Sequence, residues 1–176
     1  VTRAEFGVRF DVARYPQRAI AARLACERPH EQIARQWFVQ GDVIGVLPMG
    51  GADGHDVALV WSARDEEAQS ILALSPEDFA LRVQGVCGNA LGGLRLVSPR
   101  AAWALQRANA DRWCGAGWVL AGDAAHNVHP LAGQGLNLGL GDAATLAGVL
   151  QAREYWRGVG DVRLLRRYER MRKGDV

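Results

Sequence analysis

The sequence predicts an α+β fold: an antiparallel or mixed sheet with its helices, followed by a segment of α/β character. Three observations predict it. Short β-rich runs separated by turn residues crowd the first third of the chain, and helical periodicity takes over near residue 63. Glycine then concentrates between Gly115 and Gly148, where a strand-like run passes through a Gly/His/Pro loop into a long helical run. Glycine makes up 21 of 176 residues, about 12% against an average near 7%.

Each element has its own reason. A strand over residues 19–27 ends at Arg28-Pro29, because proline cannot donate to a ladder. Runs over 34–39 and 43–47 flank Gln40-Gly41-Asp42, a hairpin-like break. A further run over 56–62 follows the turn-rich residues 50–54, giving four neighbouring strands and an antiparallel sheet with one wet face. Trp37, Phe38, Trp61 and Trp103 are expected in the sheet core. A helix is expected over 63–74, and Ser75-Pro76-Glu77-Asp78 starts another with a cap, a first-turn proline and carboxylates at the positive dipole end. Phe79, Val83 and Val86 lie on one face of that helix. Strands resume over 94–97 and 101–105, and residues 118–121 form a short buried strand. A helix follows over 136–151, then a loop at 158–160. In the last helix Leu164, Leu165, Tyr168 and Met171 face inward, and arginines cover much of the rest.

Composition narrows the function classes. With 49% hydrophobic and 23% charged residues the chain is a folded globular protein, large enough to bury a core without staples. A net charge of +2 argues against nucleic-acid binding. The longest stretch without an ionised residue, 124–141, is broken by histidine, asparagine, glutamine and proline and does not span a bilayer. Thr2, Arg3 and Glu5 open a polar segment, so no signal peptide is expected. Cys26, Cys87 and Cys114 form no C-x-x-C pair, read as buried small apolar residues, and fit a reducing, cytoplasmic location.

The chemistry is expected in residues 119–140. A strand delivers Asp123 at its carboxyl end, beside Gly122, which permits close backbone approach. Gly133 and Gly135 bare the amides of a helix start, an anion-seeking geometry. No other carboxylate and no Arg or Lys lies between Asp123 and Asp142, so peptide dipoles would meet a ligand's negative charge. Asp123, His126 and His129 admit a metal reading, but a fourth ligand is missing and none is expected. Gly139-x-Gly141-x-x-Ala144 satisfies G-x-G-x-x-A, yet it sits inside a helical run rather than after a strand.

Gly122-Asp123-Ala124-Ala125-His126, followed by the run from His129-Pro130 through Gly133-Gln134-Gly135-Leu136-Asn137 to Gly139, resembles the second flavin-binding motif of the FAD-dependent aromatic hydroxylases. The chain is most similar to the ubiquinone-biosynthesis branch. Tyr15-x-Gln17, Ala19-Ile20-Ala21-Ala22, Glu27-x-Pro29-His30, Leu47-Pro48, Val60-Trp61 and Arg167-Tyr168-Glu169-Arg170-x-Arg172-Lys173 extend the resemblance over nearly the whole chain, while Trp103-Ala104-Leu105 departs from a Phe-Pro-Leu-like element. The family's amino-terminal G-x-G-x-x-G and its Asp-Gly segment have no counterpart here, so the chain resembles a fragment of a protein about twice as long.

The resemblance implies a middle, substrate-binding domain over 1–107 and the carboxyl-terminal part of an FAD-binding domain over 108–176. It implies that Gly122 and Asp123 serve the ribityl chain or pyrophosphate region of FAD, and that Pro130, with His129 close by, lies beside the isoalloxazine ring. Gly133, Gln134, Gly135, Leu136 and Asn137 would bring amides to the pyrimidine edge, where reduced flavin is negative. The implied activity is monooxygenation of a polyprenylated phenol with NAD(P)H and O2, through a C4a-hydroperoxyflavin. The alternatives are a flavin hydroxylase of a soluble phenol, and a non-catalytic module that binds a partner chain or a hydrophobic quinone precursor. As it stands the chain is expected to be inactive, without FAD and self-associating. For the parent protein, contact with a biosynthetic complex or peripheral contact with the inner membrane is expected.

Overall fold

The computed structural model describes residues 2–51, 53–128 and 133–174. In chain order the elements are α1 (Thr2–Glu5), β1 (Phe10–Cys26), β2 (Arg35–Val39), β3 (Asp42–Pro48), β4 (Asp56–Arg64), α2 (Asp65–Ala73) and α3 (Pro76–Cys87). There follow β5 (Leu94–Leu96), β6 (Ala101–Ala110), β7 (Cys114–Gly115), β8 (Trp118–Val119), a 3-10 turn (Gly122–Ala124), β9 (His126–Asn127), α4 (Gln134–Gln151) and α5 (Val162–Arg172). The chain forms two compact units, Tyr15–Leu105 and Val1–Arg14 with Gln106–Val176.

In the first unit β2, β3, β4 and β1 lie side by side, all antiparallel, and β5 pairs with β1. The register places Trp37 opposite Ile44, Ile44 opposite Trp61, and Trp61 opposite Ile20. Period-two alternation therefore sends Ile20, Leu24, Ile44, Val46, Leu59 and Trp61 into one core. Ile71 of α2 and Phe79 and Val83 of α3 complete it. Gln40 and Gly41 both hold positive φ, so the β2–β3 connection is the two-residue turn whose twist suits a hairpin. Trp37 and Phe38 are consecutive, so only one can face inward; Trp37 packs on the core while Phe38 is exposed, contrary to expectation. Trp103 is likewise exposed rather than in the core. The capped start of α3 is as expected, with Ser75 accepting from the Asp78 amide. Arg100 donates to the carbonyls of Ile71 and Leu74, closing the end of α2. His30 is buried as a loop pin, its Nδ1 accepting from the Gln32 amide and its Nε2 3.1 Å from the Met49 carbonyl.

In the second unit Val8, Ala110, Trp113, Leu120, Ala125 and Tyr168 form the core. β9 pairs with the end of β6, Asn109 opposite His126. The expected buried strand over 118–121 is only the half-buried β8, which pairs with β7 across a tight turn at Gly117. Its one pairing neighbour among the described residues is a two-residue strand, so it is no central strand of a sheet. The inward stripe of α5 also differs: Leu164, Leu165 and Tyr168 are buried, but Met171 is exposed and Arg172 takes the inner place. Arg172 turns inward because a buried carboxylate waits for it. All three cysteines are buried and unpaired by disulfides. Among the described residues no helix is long and apolar enough to cross a membrane.

Because Phe79 is fully buried between α3 and the sheet, Phe79→Ala should lower the unfolding free energy by about 3–5 kcal/mol, measured by chemical denaturation.

Candidate functional site: the glycine-rich turn and helix start

The site begins where α4 begins. Gly133 caps the helix in the left-handed region (φ 60°), which glycine adopts without strain, and no side chain caps the first turn. The amides of Gln134, Gly135 and Leu136 have no intrahelical acceptor, and none donates to another described residue. A Cβ built on Gly133 or Gly135 would meet nothing within 4 Å, so no side-chain packing demands glycine at either position. Gly133, Gln134, Leu136 and Asn137 are exposed, and Gly135 is half-buried.

Gly122 and Asp123 lie in the 3-10 turn, not at the end of a sheet strand as expected. Gly122 holds φ 56°, and its Cα lies against Gly139 of α4, where a Cβ on either residue would come within 3.5–3.7 Å of the other's Cα. Gly139 is therefore a packing glycine, and the G-x-G-x-x-A run is helix interior. The Asp123 carboxylate is exposed and makes no bond to any described residue. Its carbonyl, with that of Ala124, accepts from the Arg3 guanidinium at 3.3 and 2.9 Å. A cation remote in sequence thus stands at this turn, and peptide dipoles are not its only positive partners.

What ties the turn to the helix is Asp142, fully buried. Its Oδ2 accepts from the Gly122 amide at 2.8 Å and lies 2.7 Å from His126 Nε2; its Oδ1 accepts from Arg172 Nε at 2.8 Å. Arg172 also donates to the Leu138 carbonyl. Burial pushes the Asp142 carboxyl up, but Arg172, the Gly122 amide and His126 outweigh it and hold it below the usual carboxylate range. An ionised carboxylate only accepts, so His126 Nε2 carries the hydrogen. His126 Nδ1 is buried without a partner among the described residues, and the ring stacks on Trp113 at 4.9 Å. His126 is thus held in place by Asp142. Tyr168 donates to the Leu120 carbonyl at 3.0 Å, fixing α5 under the same turn.

A cleft of about 430 Å3 in this unit is lined by Asp11, Val12, Arg107, Asn109, Asn127 and Val128. His129 and Pro130, expected beside the flavin ring, lie outside the described residues. No motif in the sequence ties Asp142 or Arg3 to this turn, and Arg172 stands in the closing motif with nothing there to mark it as the partner of Asp142. One signal for that pair was present: Asp142 is the only ionisable residue in the eighteen of α4, and a lone charge in an apolar helix calls for a buried counter-charge.

The family model described as "FAD binding domain" matches residues 3–175. The chain belongs to this FAD-binding family. Among curated relatives it is 35% identical over 174 residues to ubiquinone hydroxylase UbiL of Rhodospirillum rubrum, covering 98% of this chain and 40% of that protein. It is 30% identical over 172 residues to the 3-demethoxyubiquinol 3-hydroxylase of Escherichia coli, covering 96% of this chain and 42% of that protein. Among solved structures it superposes on PqsL of Pseudomonas aeruginosa, in complex with 2-aminobenzoylacetate, with a TM-score of 0.79 and 27% identity, covering 98% of this chain and 47% of that one. The chain spans about two-fifths of the length of these curated relatives. FAD is the cofactor of the family; amides that donate to no described residue suit an electron-rich group, and the Asp123 carboxylate, which bonds no described residue, suits a hydroxyl donor.

Removing Asp142 would strand a buried guanidinium and an amide, so Asp142→Ala should cost about 3–5 kcal/mol at neutral pH by chemical denaturation. A carboxyl held low in the folded state stabilises above its ordinary pKa of about 4, and that contribution is lost as pH falls through the folded value. The gap between the two proteins should therefore shrink in acid; a gap constant with pH would refute this role.

Proposed function

We propose that the protein to which this chain belongs is a flavin-dependent monooxygenase that hydroxylates a polyprenylated phenol in ubiquinone biosynthesis, with NAD(P)H as reductant. The single observation that carries the reading is the first turn of α4, whose amides donate to no described residue, on the helix that packs at Gly139 against the 3-10 turn of Asp123, whose exposed carboxylate bonds no described residue. The ubiquinone hydroxylases among its relatives supply the substrate class.

In this reading Asp123 accepts hydrogen bonds from ligand hydroxyls, as an ionised carboxylate must. The amides of Gln134, Gly135 and Leu136, following the Gly133 cap, stabilise negative charge on a ring edge through the positive end of the helix dipole, without a mobile counter-ion, while the Asn137 amide expected beside them is taken up by the first intrahelical bond to the Gly133 carbonyl. Gly122 gives the backbone room to approach, and Pro130 with His129 borders the ring. Bound FAD supplies the redox chemistry, taking electrons from the nicotinamide and activating O2 for attack on the phenol. Asp142, Arg172 and His126 hold the turn and the helix in register and take no part in the chemistry.

A second reading concerns the chain by itself. Leu136 and Leu140 are exposed on α4, whose only buried residue is Asp142, so an apolar helix leaves apolar side chains in water. The isolated chain self-associates and holds no FAD, as a module for a partner chain would.

Asp123→Ala in the full-length protein should weaken FAD binding by about tenfold or more, measured by quenching of flavin fluorescence. The thermal midpoint of the apoprotein should stay put, because that carboxylate bonds no described residue. Unchanged affinity would remove Asp123 from the site, and absence of flavin-dependent hydroxylation of a polyprenylated phenol would sink the activity.

A further inference from the structure

Three exposed apolar side chains stand within five residues of the loop between α4 and α5. Tyr155 is 94% exposed, Trp156 67% and Val159 59%. The two rings meet edge to face, centroids 4.9 Å apart. The loop that carries them is pinned. Glu154 accepts from Arg157 Nε at 2.8 Å and pairs with Arg167, and Asp161 accepts from Arg157 and from the amides of Arg163 and Leu164. The Gly117 amide donates to the Gly160 carbonyl at 3.0 Å.

Both loop carboxylates are therefore engaged inside the loop. Arg167 above all holds Glu154 down to about 2, so it stays charged and spent on these arginines. Between residues 153 and 174 the chain carries eight Arg and Lys against three Asp and Glu, although its overall net charge is only +2. Arg163, Arg166 and Arg170 are exposed and pair with no carboxylate among the described residues. Arg153, also exposed, donates to the Leu150 carbonyl.

We propose that this loop is a membrane-interface contact that seats Tyr155, Trp156 and Val159 among the headgroups of an anionic bilayer, with the neighbouring arginines meeting lipid phosphate. Tyr and Trp rings with one polar edge settle at the depth where hydrocarbon meets water. Arginines near such a surface are drawn to it within a Debye length. Three side chains at a loop tip present far less than the roughly 800 Å2 per partner of a stable protein interface, which favours a lipid surface over a protein. The inference does not rest on the flavin reading.

The test is flotation of the chain on a density gradient with vesicles of phosphatidylcholine alone and of equal parts phosphatidylcholine and phosphatidylglycerol, in which only lipid-bound chain rises. The unaltered chain should partition onto the anionic vesicles and much less onto the neutral ones, and raised salt should release it. Tyr155→Ala with Trp156→Ala should lower that partition by about tenfold or more, with the unfolding midpoint unchanged. Arg163→Glu with Arg166→Glu, which leaves the rings in place, should lower it on anionic vesicles alone. No partition of the unaltered chain, or partition of both double variants equal to that of the unaltered chain, would overturn the proposal. So would a dimer that the aromatic variant loses while neither vesicle binds, which would make a second copy the partner. None of these assays contains flavin, so their outcome is separate from that of FAD binding.

Discussion

The glycine-rich segment depends on one buried carboxylate. Asp142 is fully out of water, and an ionised carboxylate there is tolerated only with its lone pairs met. The donors that meet them come from three places: the Gly122 amide in the 3-10 turn, His126 in β9 and Arg172 near the end of α5. Loss of the carboxylate would leave the others uncompensated, so turn, strand and both helices hold their relation together or not at all. The close approach of Gly122 to Gly139 is the steric half of the same constraint.

That constraint gives the open end of α4 its meaning. Helix termini always leave amides unpaired, and most are covered by a cap or by water. Here the cap is a glycine without a side chain, the neighbouring Cβ positions are empty, and Asp123 is held nearby without a bond to its carboxylate. Donors and acceptor are fixed in place before any ligand arrives, which is the condition for electrostatic stabilisation at low reorganisation cost.

Much of this was legible in the sequence, and the rest was hidden for physical reasons. The hairpin at Gln40-Gly41, the capped start at Ser75 and the helix after Gly133 each carry a local signal, and local signals survive in any context. The short extent of β8 was not readable, because a strand's length depends on neighbours that its own residues do not encode. Consecutive aromatics at Trp37 and Phe38 could not both be core once the pleat was imposed. Arg172 escaped notice because an arginine-rich helix reads as a solvated face, and only its partner thirty residues earlier reveals which arginine turns inward. Arg3 reaches the turn from 120 residues away, a distance that no spacing rule spans.

The first-turn amides of α4 donate to no described residue and stand as the donors for an electron-rich ligand. Hydrogen exchange at Gln134, Gly135 and Leu136, followed by mass spectrometry on the full-length protein with and without FAD, reads this directly. The account predicts rapid exchange in the apoprotein, like that of an uncapped helix end, and strong protection confined to this turn when FAD is bound. Amides already protected in the apoprotein, or equally fast in both states, would contradict it.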